Sequence, residues 1–179
     1  MIFIKKYGGY DIRKLEILGE GSQGKVYKID SKTCIKIFKN PDSCRKEIRT
    51  LKMAQEDPHF PKLYDYGNKY IIRECIHGIE LDKYLIHNPL TKEISLKIID
   101  VYEALGKVGY KRQDTMLFHI FITSCSYFRV IDTARAMKEK TTFPRRILEE
   151  LDKLGYKTEF LDHVKVLRLD LYCKWFKKK

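Results

Sequence analysis

"GEGSQGKVYKIDSKTCIKIF", residues Gly19 to Phe38, is the stretch on which the fold reading turns. Gly19, Gly21 and Gly24 stand in G-x-G-x-x-G spacing, with Val26 close behind. In a dinucleotide-binding fold a helix follows such glycines directly, so that pyrophosphate sits on its N-terminus. Here "KVYKID" follows instead. Val26, Tyr27 and Ile29, with Leu15 and Ile17 before them and Ile35, Ile37 and Phe38 after, favour a pleated surface. "DSKT", Asp30 to Thr33, is a polar turn between two such runs. The glycines therefore belong to a β-hairpin, whose backbone N–H groups either approach phosphates closely or simply turn the chain.

Lys36 lies inside the apolar run "CIKIF". A lysine there is costly to bury unless its charge has a use, which phosphates and a carboxylate would supply; the alternative is an edge lysine facing water. Helix signals begin at "NPDSC", where Asp42 or Ser43 can cap a helix running to about Ala54. Glu47, Ile48, Leu51 and Ala54 share one face of it, so Glu47 can lean inward, or else pair on the surface with Arg45, Lys46 or Arg49.

Further on, "LYDYG" and "KYIIREC" read as two short strands around Gly67-Asn68. "LDKYLIHNP" is a short helix ended by Pro89. Thr91 caps a long helix whose Ile94, Ile98, Val101, Leu105 and Val108 form a single stripe, stopped at Gly109. His119–Thr123 and Tyr127–Asp132 form a strand pair around "SCS". Pro144 starts a helix that Gly155 stops. Thr158 caps one last helix, with Leu161, Val164, Leu171 and Trp175 inward, before a frayed "KKK". The order is α+β: a sheet with one helix, then mostly helices around a small hairpin.

This set of parts resembles the protein-kinase superfamily, whose pattern is a glycine-rich loop, a strand lysine and a glutamate on the next helix. The matching stretches are "GEGSQGKV", "TCIKIF" and Glu47. In the catalytic-loop position stands "RQDTMLFH": Asp114 aligns with the catalytic aspartate, and His119 takes the place of the asparagine five residues on. Asp132 of "VID" aligns with the D-F-G aspartate. The chain most resembles short bacterial proteins described as probable serine/threonine kinases. The resemblance implies a two-lobed fold, an N-lobe over 1–76 and a reduced helical C-lobe over 77–179. It implies ATP, with Mg2+ or alternatively Mn2+, between the lobes, and transfer of the γ-phosphate to a hydroxyl on a protein or small molecule. Gly19, Glu20, Gly21, Ser22, Gly24 and Val26 would cradle the nucleotide. Lys36 would orient its phosphates with Glu47 fixing the lysine, and the backbone near Glu74 and Ile76 would bond the adenine edge. Asp114 would accept the hydroxyl proton. Asp132, and His119 if it does more than pack, would hold metal; magnesium prefers oxygen ligands over imidazole.

Several departures open a second reading, a nucleotide-binding pseudokinase that regulates a partner. Arg112 and Gln113 replace His and Arg, His119 stands in the asparagine position, and no glycine follows Asp132. Met116 also replaces a lysine common in the family, which removes one charge from the transferring phosphate. The residues after Asp132 are too few for the helical platform on which ordinary protein kinases dock peptides.

Composition sets the remaining limits. The net charge of +12 attracts polyanions in general. Its basic patches, such as "KEKTTFPRR", are dispersed and carry no nucleic-acid motif, so nucleic acid is not an expected partner. Five scattered cysteines without a C-x-x-C pair argue against zinc and a disulfide framework, and suit a reducing cytoplasm. "MIFIKKYGGY" lacks a signal-peptide pattern, and no apolar run reaches the ~20 residues of a membrane span.

Overall fold

The computed structural model describes residues 6–176. The expected fraying of the terminal lysines and the first residues of the N-terminal reading lie outside that range. The chain divides into two compact units, Met1–Ile76 with Asp132–Arg135, and His77–Ile131 with Ala136–Lys179.

In the first unit, β1 (Lys6–Tyr7) and β2 (Tyr10–Asp11) form a small hairpin. The main sheet contains β3 (Ile17–Glu20), β4 (Gly24–Lys28), β5 (Thr33–Phe38), β6 (Leu63–Tyr66) and β7 (Tyr70–Glu74). Their order is β3-β4-β5-β7-β6, antiparallel throughout. The "DSKT" turn closes because Asp30 accepts the backbone N–H of Lys32 and Thr33 through one carboxylate oxygen, at 2.7 and 2.8 Å. Gly24 is held to glycine by packing: a Cβ there would come within 1.9 Å of the Ile37 carbonyl oxygen.

The helix α1 (Pro41–Met53) follows β5. Its N-cap is Asn40, whose side chain accepts from Asp42 N–H at 2.7 Å, and not Asp42 or Ser43. Pro41 explains the shift, since its fixed φ and missing N–H suit the first helical position. Cys44 and Leu51 of α1 pack with Phe38 and Ile71 of the sheet, flanked by Ile48 and Leu63. This apolar contact presses α1 onto the sheet and sets the depth at which Glu47 enters.

In the second unit a small sheet has the order β10-β9-β8, from β8 (Ile79–Glu80), β9 (Ile120–Ile122) and β10 (Phe128–Val130). Its helices are α2 (Leu81–His87), α3 (Lys92–Lys107), α4 (Arg145–Lys153), α5 (Lys157–Leu167) and α6 (Leu169–Phe176). Thr91 caps α3 by accepting from Ile94 N–H at 3.2 Å. Gly109 and Gly155 take positive φ, 82° and 80°, beyond the ends of α3 and α4.

The single C-terminal helix expected from the apolar pattern is broken at Arg168 into α5 and α6, and Thr158 lies within the first turn instead of capping it. Arg168 stabilises the break by reaching Glu103 at 2.8 Å and Asp170 at 2.9 Å. Trp175 then packs edge-on to Tyr102 and stacked with Phe160, at centroid distances of 5.2 and 6.5 Å. Among the described residues no helix is long and apolar enough to cross a membrane. The architecture is α+β, with antiparallel sheets.

Candidate functional site

The sheet register gathers the polar residues of the first unit. Val26 pairs with Lys36, Lys36 with Ile71, Lys28 with Cys34, and Cys34 with Arg73. Directly paired residues share a face, and so do residues two apart on a strand. Val26, Lys28, Cys34, Lys36, Ile71 and Arg73 therefore present one side of the sheet, the side that α1 covers in part.

Lys36 is only 7% exposed on that face. Its Nζ donates to Glu47 Oε2 at 2.6 Å and stands 3.9 Å from Asp132 Oδ2. Its ammonium also lies 4.8 Å from the Phe38 ring centroid. The inward reading of Glu47 is the one realised, since that residue is 1% exposed. Burial pushes its carboxyl above the ordinary value; the charge of Lys36 pulls against that, and Asp132 adds to it.

Asp132 joins this group although it lies far along the chain. Its φ is 56°, in the left-handed region that aspartate enters more readily than most residues. The Gln23 amide, from the glycine hairpin, donates to both of its carboxylate oxygens at 3.1 Å. The next residue, Thr133, shares a 2.7 Å hydrogen bond with Thr50 of α1, hydroxyl to hydroxyl, both buried. The segment carrying Asp132 is thus fastened at one residue to the glycine hairpin and at the next to the helix that carries Glu47.

The hairpin itself is tied by Gly21 N–H to the Gly24 carbonyl at 2.9 Å. A Cβ at Gly19 or Gly21 would meet nothing within 4 Å, so the space over both is open. Glu20 is exposed and pairs with Lys25 at 3.0 Å, and Ser22 is exposed at the tip. At the end of β7, the Glu74 carbonyl accepts from Arg73 Nη1 at 3.1 Å and from Cys34 Sγ at 3.8 Å. Ile76 closes the continuous part of this unit and is half-buried.

Asp114 and His119 belong to the second unit. Asp114 is 7% exposed, and its two carboxylate oxygens accept the backbone N–H groups of Arg146 at 2.9 Å and Ile147 at 3.3 Å. These are orphan donors in the first turn of α4, whose own N-cap residue, Pro144, supplies no side-chain bond. Burial raises the Asp114 carboxyl above its ordinary value, and the two backbone bonds pull it down. His119 is half-buried at the end of a short 3-10 turn, Leu117–His119, edge-on to the Phe118 ring at 4.3 Å.

Lys36, Glu47 and Asp132 are thus brought together, with Gln23, Thr50, Thr133 and Arg73 around them. Those last four were not singled out from sequence. Arg73 alone left a signal, a charge between two isoleucines and an acid in "IIRE". Among the described residues no group of three or more His, Cys, Asp or Glu side chains could hold a metal ion by itself. The residues nevertheless fit a magnesium–triphosphate. Magnesium is commonly held by one or two carboxylates together with phosphate oxygens, and the Asp132 side chain keeps 23% exposure beside an ammonium able to meet those phosphates.

No family profile matches the sequence, and no curated protein does. Solved structures do match. Two structures of the PknI kinase domain of Mycobacterium tuberculosis, one of them a cysteine mutant, are similar over 94% of this chain and over 85 and 86% of theirs. Their TM-scores are 0.60 for the mutant and 0.59, at 16 and 15% identity. The PK-1 kinase of the Cydia pomonella granulovirus matches 67% of this chain and 50% of its own, with a TM-score of 0.54 and 19% identity. At such identities the likeness is one of fold: the chain has the protein-kinase-like fold.

Proposed function

We propose that this chain is a nucleoside-triphosphate-dependent phosphotransferase of the protein-kinase type, moving the γ-phosphoryl group of a donor, ATP by default, to a serine- or threonine-type hydroxyl. One observation carries the reading: a lysine buried on a sheet face, held at 2.6 Å by a buried glutamate, with a partly exposed aspartate 3.9 Å away and an open glycine hairpin on the same unit. A lysine so placed has its charge directed and its desolvation partly offset, and a triphosphate would use both.

In this reading Lys36 orients the phosphates and Glu47 fixes the lysine. Asp132 would hold Mg2+ or Mn2+, which would supply charge neutralisation in a transfer that needs little covalent help from protein. Gln23 must release Asp132 for that role. Asp114 takes the proton of the attacking hydroxyl. The free thiols suit a reducing cytoplasm.

The bonds of Asp114 favour a second reading. A carboxylate whose two oxygens already cap α4 has its structural work assigned, which suits a nucleotide-binding pseudokinase. Metal-dependent transfer from γ-labelled ATP separates the two. Transfer lost in Asp132→Ala and Asp114→Asn supports the enzyme. Thermal stabilisation by nucleotide without turnover supports the pseudokinase. Equal transfer by wild type and both variants, or no response to any triphosphate, removes the respective claim.

A further inference from the structure

Gln23 and Asp132 belong to the same compact unit, and each is held from behind. The Gln23 carbonyl accepts the Lys39 N–H at 2.9 Å. Its neighbour Gly24 lies so close to the Ile37 carbonyl oxygen that a Cβ would come within 1.9 Å of it. Asp132 is followed by the buried hydroxyl contact of Thr133 with Thr50 at 2.7 Å. Two anchored backbones thus direct their side chains at each other, with the Gln23 nitrogen 3.1 Å from each Asp132 oxygen. A carboxamide has a donor end and an acceptor end. A half-turn about its last torsion exchanges the two, and the Gln23 oxygen would then stand at about the nitrogen's present 3.1 Å from the carboxylate. Neighbouring oxygens in a magnesium octahedron, with bonds of ~2.1 Å, lie about 2.9 Å apart. Without a cation the two oxygens would repel, so the donor end faces Asp132; a divalent cation between them reverses that preference.

Resting on the phosphotransferase reading above, we propose that Gln23 is a metal ligand: its side-chain oxygen joins one Asp132 oxygen in holding the divalent cation of the donor triphosphate. Phosphate oxygens and water take the other positions. Release of Asp132 by Gln23 is then the turn of one amide, and the hairpin need not lift. A neutral ligand suits the place. The Lys36 ammonium already stands 3.9 Å from Asp132, so the cation depends on the phosphates for charge and on the protein for position. An amide oxygen is also a hard ligand, as magnesium requires, whereas His119 lies in the other unit and offers an imidazole.

The test is calorimetric binding of ATP to the full chain, once with Mg2+ and once with EDTA. Gln23→Met keeps the length of the side chain without its amide. It should weaken binding in Mg2+ roughly tenfold, the lower range for a lost metal-site partner, and leave binding in EDTA within about twofold of the wild type. Gln23→Glu keeps an oxygen at the same reach and should bind ATP in Mg2+ at least as tightly as the wild type. Tighter or unchanged binding of Gln23→Met in Mg2+ overturns the inference, because the amide would then compete with the cation or ignore it. An equal loss in Mg2+ and EDTA overturns it too, since Gln23 would then serve the nucleotide or the hairpin. So does a Gln23→Glu variant as weak in Mg2+ as Gln23→Met. Each of these three results leaves the phosphotransferase reading standing. A wild type that fails to bind ATP in either condition removes both.

Discussion

Glu47 in the first unit and Asp114 in the second are both buried carboxylates, 1% and 7% exposed, and their burial is met by different means. Glu47 faces a full charge, the Lys36 ammonium, with Asp132 close by. Asp114 faces two backbone N–H groups at a helix start. A side-chain charge partner can be shared with an incoming anion, and the ion pair then reorganises instead of breaking. Backbone donors cannot move away, so whatever bonds Asp114 gives up are lost to α4. In the proposed reading the first arrangement would serve a ligand, whereas the second already caps α4, even though both acids align with functional positions of the kinase pattern.

The largest effect that tests this contrast is Glu47→Ala. It strands a buried lysine, and urea unfolding should show a loss of about 3 kcal/mol, the low end for a broken buried pair, because Asp132 remains within reach. A loss below about 1 kcal/mol would mean that Lys36 finds water easily and that the face is wetter than its burial implies. Asp114→Ala comes next, at about 2 kcal/mol from two unmet donors in the first turn of α4. Hydrogen exchange should show that loss concentrated at Arg146 and Ile147. Unchanged protection there would break the assignment of Asp114 as the cap of α4.

Smaller still is the coupling between Thr50 and Thr133. A double-mutant cycle with valine at each position should give about 1 kcal/mol, and near-zero coupling would detach the Asp132 segment from α1. The mildest effect is on pH dependence. Glu47 and Asp114 both hold their protons more tightly in the fold than in the unfolded chain. Between the ordinary carboxylate value and the raised one, the native state therefore binds more protons, and stability falls as pH rises through that window. Asp114→Asn should flatten the fall of Tm with rising pH above about pH 4. An unaltered slope would locate the dependence in Glu47.

How far these features were legible in the sequence depended on their range. Lys36 and Glu47 could be read because a two-residue strand period and a 3.6-residue helix period each place a side chain on a face, and both periods are local. The glycine spacing together with the strand character after it distinguished a hairpin from a helix N-terminus. The capping of α4 by Asp114 could not be read, because its partners are backbone groups 32 and 33 residues away that any sequence would supply. The break at Arg168 was hidden for a related reason. "VLRLDL" contains neither glycine nor proline, and the interruption is stabilised by Glu103, on a different helix. β8 is two residues long and exists through its pairing with β9, so it left no pattern of its own. Arg73 was visible as a charge in an apolar run, but its place beside Cys34 follows from the strand register, which the sequence does not print.

The return of Asp132–Arg135 to the first unit has a practical consequence for dissecting the gene. A fragment ending at Ile76 would carry the whole five-stranded sheet and α1 yet lack the hydroxyl that meets Thr50 and the acid that stands by Lys36. Expressed alone, such a half would leave Lys36 with Glu47 as its carboxylate partner but without Asp132. Restoring it calls for a short peptide added in trans, or for a rearranged reading frame that splices those four residues back through a linker.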